Sequence, residues 1–71
     1  MEKGWTKVFI TTEDYLISMA RDILQDNGIE SVVINHKDSS YMMWGEAEIY
    51  VRDDKEVQAN EILKQLKKGS H

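Results

Sequence analysis

His36 is the internal histidine of this 71-residue chain, and Asp38, Glu46 and Glu48 lie close to it in sequence. Imidazole and carboxylate groups together can hold a metal through nitrogen and oxygen, or pass a proton between them. Their spacing here matches no established ligand motif, so a surface histidine is expected; His71 receives no role. Phe9 and Tyr50 suggest a second chemistry, because sheets that bind RNA stack bases on aromatic side chains. The formal net charge of −4 and a Glu48 expected on the same face argue against it, since phosphate binding wants a basic footprint. A third feature is Tyr41-Met42-Met43-Trp44, four large apolar residues that follow the polar run Lys37-Asp38-Ser39-Ser40. Methionine adapts to varied surfaces, and tyrosine and tryptophan anchor interfaces. Either this segment folds over its own sheet or it presents a contact surface.

Other chemistries are excluded by composition. With 0 cysteines there is no disulfide framework, thiolate zinc site, iron–sulfur cluster or cysteine nucleophile. The chain contains no G-x-S-x-G, phosphate-binding loop, H-E-x-x-H or glycine-rich dinucleotide turn. No enzyme activity and no cofactor are expected. No apolar run approaches the roughly 20 residues needed to span a bilayer, and MEKGWTKVFITTED lacks the apolar region of a signal peptide.

The elements that must position these residues follow from periodicity. Apolar residues make up 41% and charged residues 31% of the chain, the balance of a folded domain. One domain, residues 1–71 with an ordered core at about 5–67, is expected. WTKVFIT (5–11) reads as a strand with Val8 and Ile10 on one face. Thr11-Thr12-Glu13-Asp14 starts a helix whose inward stripe is Leu16, Met19, Ala20, Ile23 and Leu24, with Ile17 at its edge. Asn27-Gly28 stops it, and Ile29 can fold back on Leu24 in a Schellman cap. IESVVINH (29–36) and EAEIYVR (46–52) are two further strands; in the latter, Ala47, Ile49 and Val51 point inward and Glu48 and Tyr50 outward. Asp53 and Glu56 have capping-box spacing before a second helix with Ala59, Ile62, Leu63 and Leu66 inward and Val57 exposed.

The order β-α-β-β-α predicts an α+β two-layer sandwich, a three-stranded mixed sheet of order 1-3-2 with two helices on one face. This is a truncated ferredoxin-like unit lacking its last strand. The crossover through the first helix should be right-handed and join parallel strands. The first strand keeps an open edge, and the face away from the helices should carry Lys7, Phe9, Val33, Asn35, Glu48 and Tyr50.

Val8-Phe9-Ile10-Thr11-Thr12, Ala20-Arg21-Asp22-Ile23-Leu24 leading to Asn27-Gly28-Ile29, and Ile49-Tyr50-Val51 followed by Ala59 and Ile62-Leu63 resemble the bacterial family called putative prokaryotic signal-transducing proteins, over about residues 5–66. The resemblance implies a likeness to PII-like signalling proteins, which share the ferredoxin-like fold, oligomerise and use the connection between their second and third strands as an effector loop. It implies a cytoplasmic bacterial regulatory module and assigns no catalytic residue.

The expected function is protein–protein contact, with itself or with a partner, through the first-strand edge and the 41–44 loop. Tyr41, Met42, Met43, Trp44, Phe9 and Tyr50 are the candidate contact residues; neither nucleic acid nor membrane is an expected partner. The alternatives are a PII-like sensor of a small ligand held between subunits and, from another class, a metal-assisted or acid–base enzyme using His36.

Overall fold

The computed structural model describes residues 3–36 and 45–68 of the chain. The elements are β1 (Trp5–Thr11), α1 (Asp14–Asp26), β2 (Ser31–Asn35), β3 (Ala47–Arg52), a short 3₁₀ turn (Asp53–Lys55) and α2 (Glu56–Lys68). The three strands form one sheet of order β1-β3-β2. Both β1 and β2 pair antiparallel with β3. The sheet is therefore antiparallel throughout, which corrects the expected mixed sheet: β1 and β2 do run parallel, but β3 lies between them.

The buried residues of β3 are Ala47, Ile49 and Val51, the alternate positions of a strand with one covered face. They join Leu16, Ile17, Ala20 and Leu24 of α1 and Ala59 and Leu63 of α2 in one core, with Ile62 and Leu66 packed at its margin. Both helices thus lie on the Ala47–Ile49–Val51 side. The inward face of α1 is turned slightly from the expected stripe. Ile17 is buried and Met19 is exposed, because α1 packs against α2 as well as the sheet, and packing sets the rotation within a broad apolar arc. Val57 lies exposed on α2, as its helical position requires.

The Schellman cap forms. Gly28 has φ +74°, its N–H donates to the Gln25 carbonyl at 2.9 Å, and the Ile29 N–H donates to the Leu24 carbonyl at 2.9 Å. These are the two bonds that satisfy the last carbonyls of a helix, and Ile29 and Leu24 meet in the core. At the other end of α1, the Thr11 hydroxyl accepts from the Glu13 N–H at 3.1 Å. The expected capping box at Asp53 does not form. Asp53 instead accepts a hydrogen bond from the Thr6 hydroxyl, and its N–H donates to the Gly4 carbonyl at 2.8 Å. The aspartate ties the start of β1 to the end of β3, and a 3₁₀ turn leads into α2.

β1 departs most from strict alternation. Lys7 pairs with Tyr50 and Phe9 with Ile49, so Val8 is an extra residue at a bulge. Val8 and Phe9 are both buried, at 4% and 5% exposure, whereas Ile10 is 43% exposed. Directly paired residues of antiparallel strands share a face. Phe9 therefore lies with Ile49 toward the helices, and Ile10 lies with Glu48 on the open face. The sequence expectation had these two reversed. The same register corrects β2: Val33 and Asn35 pair with Ile49 and Ala47 on the helix side, while Val32 and Ile34 pair with Tyr50 and Glu48 on the open face. Among the described residues, no helix is long and apolar enough to cross a membrane.

Candidate functional site

Two surfaces meet along β1. The first is the open sheet face, where Glu48 of the central strand gathers one group from each neighbour. The Tyr50 hydroxyl donates to Glu48 Oε1 at 2.9 Å. Lys7 Nζ of β1 lies 3.5 Å from Oε2, and His36 Nε2, just beyond β2, lies 3.6 Å from Oε1. The His36 N–H also continues the β2–β3 ladder by donating to the Glu46 carbonyl at 3.0 Å. The Tyr50 hydrogen bond is the largest influence holding the Glu48 carboxyl below its ordinary value, assisted by Lys7 and His36 and opposed by partial burial. The same bond raises the Tyr50 hydroxyl, since an ionised phenol beside a carboxylate would repel it. Farther along, the Arg52 guanidinium stands 4.8 Å from the Trp5 ring centroid, a cation–π contact between paired residues. Arg52 Nε is also 3.6 Å from Glu30 Oε1.

The second surface is the outer edge of β1. A groove of ≈ 310 Å³ is lined by Lys7, Val8, Phe9 and Ile10, consecutive along the strand, and by Lys67 near the end of α2. Four consecutive strand residues include both faces of the sheet, and no residue of β3 lines the groove. It therefore follows the strand edge, beneath the end of α2. β1 is one of the two edge strands, and among the described residues no strand pairs with its outer side. Edge strands present backbone N–H and C=O groups that can pair with another chain. A second concavity, ≈ 250 Å³ between α1 and β2, is lined by Arg21, Gln25, Ile29, Glu30 and Ser31.

These placements separate the residues that the sequence had grouped. Tyr50 is on the open face, but Phe9 is buried in the core on the helix side of the sheet. The Phe9–Tyr50 pair that base stacking would need is not assembled. His36 does reach Glu48, whereas Glu46 contributes only its carbonyl; Asp38, Tyr41, Met42, Met43 and Trp44 lie outside the described residues. Among the described residues no three histidine, cysteine, aspartate or glutamate side chains group together to hold a metal. The groove itself was missed. Its signal was the uninterrupted apolar run Val8-Phe9-Ile10, which strict alternation cannot bury on one side and in which a bulge lets the neighbours Val8 and Phe9 both be buried while Ile10 faces out. Lys67 read only as a favourable charge at a helix C-terminus, and nothing local ties it to β1.

Comparison with known proteins gives one match. The sequence profile of the family described as "Putative prokaryotic signal transducing protein" aligns with residues 5–67, and the chain belongs to that family. No curated protein and no solved structure matches it.

Proposed function

We propose that this member of the signal-transducing family is a small cytoplasmic regulatory module that acts by protein–protein contact, not as an enzyme, and that the contact runs along the outer edge of β1. The observation that carries this reading is the groove along an edge strand with no partner strand on its outer side among the described residues: main-chain groups offer affinity, and Val8, Phe9 and Ile10 line the wall. The element order also reads as a ferredoxin-like unit without its last strand, and the groove then occupies the place that strand would take. The likeness to PII-like proteins is an analogy of fold, and it gives the signalling context without choosing a ligand. A binding role suits the His36–Glu48–Tyr50 group as well. The His36 side chain is 50% exposed on an open sheet face, and proton-transfer chemistry gains most where water is excluded.

A photo-crosslinking residue placed at Ile10, in a bacterium expressing the chain, tests the reading. The same residue at Val57, on the opposite layer and 84% exposed, serves as the control. A discrete protein adduct from position 10 and none from position 57 is expected. Equal labelling at both positions, or none at either, would refute an edge-directed contact.

A further inference from the structure

We infer that the β1 groove takes an extended strand of a partner protein that carries carboxylate side chains among β-branched residues, in preference to a second copy of this chain. The inference rests on the reading of the β1 edge as the contact surface and adds the chemistry of the occupant. Charge carries it. The groove is bounded by two lysines, Lys7 and Lys67, on a molecule whose net charge is −4. A second copy pairing edge to edge would bring its own β1, WTKVFIT, whose only ionisable side chain is Lys7. It would add a further lysine to a groove already bounded by two, and like charges held opposite each other select against a partner. An acidic strand does the reverse.

The two lysines are placed to receive it. The Lys7 side chain is 46% exposed, and its ammonium leans on Glu48 at 3.5 Å; an ammonium has three donors, so a second carboxylate can share it. Lys67 donates to Asn60 Oδ1 at 3.0 Å, which steadies the side chain at the C-terminal end of α2. The apolar requirement comes from Val8, Phe9 and Ile10, which form the rest of the wall. A strand adding to β1 would set alternate side chains over Ile10 on the open face and toward the α2 side of the sheet.

The test uses the isotope-labelled full chain and three short synthetic strands of alternating valine and threonine, identical except for glutamate, glutamine or lysine at two positions. Binding is read from the backbone amide shifts of residues 7–10 and 67 and from the mass in solution. The glutamate strand is expected to bind about three- to fivefold more tightly than the glutamine strand at low salt, the range of an exposed ion pair. The difference should vanish near 1 M salt, where the screening length falls to about 3 Å. Lys67→Glu, an exposed change, should erase or invert the preference. If all three strands bind at β1 alike, the acidic occupant is wrong and the edge contact stands. If none shifts the β1 amides, both are wrong. A dimer whose β1 amides are protected and closed to every strand would make a second copy the occupant and overturn the inference.

Discussion

The Tyr50 hydroxyl sits 2.9 Å from Glu48 Oε1, two residues away on the same face of the central strand. That one bond places the carboxylate between Lys7 of β1 and His36 just beyond β2, so a single side chain reaches across the sheet on the face away from the helices. Cross-strand polar contacts of this kind add to the register that the buried face of Ala47, Ile49 and Val51 already specifies.

The link makes stability depend on pH at both extremes. Glu48 is lowered from its ordinary 4.5, so its contribution is complete above that value and is lost as pH falls through the lower folded value. Tyr50 is raised from 10.0, so its contribution is complete below 10.0 and is lost as pH rises through the higher folded value. Tyr50→Phe should lower the melting temperature near neutrality. The gap from the parent should close as the solution is acidified through the carboxylate range, and again in strong alkali. Melting curves by circular dichroism across pH check this; a gap independent of pH would show that the hydroxyl does not act through Glu48.

The bulge at Val8 predicts an unusual ranking of neighbours. Phe9→Ala empties a buried site and should cost about 3–5 kcal/mol. Ile10→Ala removes a side chain that is 43% exposed and should cost under about 1 kcal/mol. Urea unfolding measures both. Simple alternation from Val8 gives the opposite order, so the pair decides the register directly.

Gly28 holds φ +74° in open space, with nothing within 4 Å of an added Cβ. Gly28→Ala therefore tests backbone conformation without steric collision. It should destabilise by about 1–2 kcal/mol, which in a domain this small lowers the melting temperature by roughly 4–8 °C for each kcal/mol. Gly28→Asn should cost less, since asparagine tolerates the left-handed region.

The partner of Asp53 can be settled by double-mutant cycles. Thr6→Ala and Asp53→Ala should couple by about 0.5–1.5 kcal/mol, the range of a net hydrogen bond. Asp53→Ala and Glu56→Ala should be additive. Coupling confined to the second pair would restore the capping box and remove the tie between the start of β1 and the end of β3.

The sequence by itself determined what depends on near neighbours. The Asn27-Gly28-Ile29 stop, the alternating third strand, the inward Leu24 and Leu63 and the outward Val57 all rest on local periodicity or on glycine's backbone freedom, and all appear as read. The order β1-β3-β2 followed from connection chemistry and the open edge it implies. Tertiary structure alone decided the rest. In a run as apolar as Val8-Phe9-Ile10, either face satisfies the local preference, and only pairing with β3 inserts the bulge that sends Phe9 inward and Ile10 out. Val32-Val33-Ile34 is equally ambiguous until Ile49 and Tyr50 lie opposite. Asp53 has capping-box spacing with Glu56, but the hydroxyl of Thr6, 47 positions earlier, claims its carboxylate. The groove joins residues 7–10 to residue 67, and no local rule relates positions so far apart; their meeting is fixed when both helices close over the core formed by Ile49, Val51, Leu24 and Leu63.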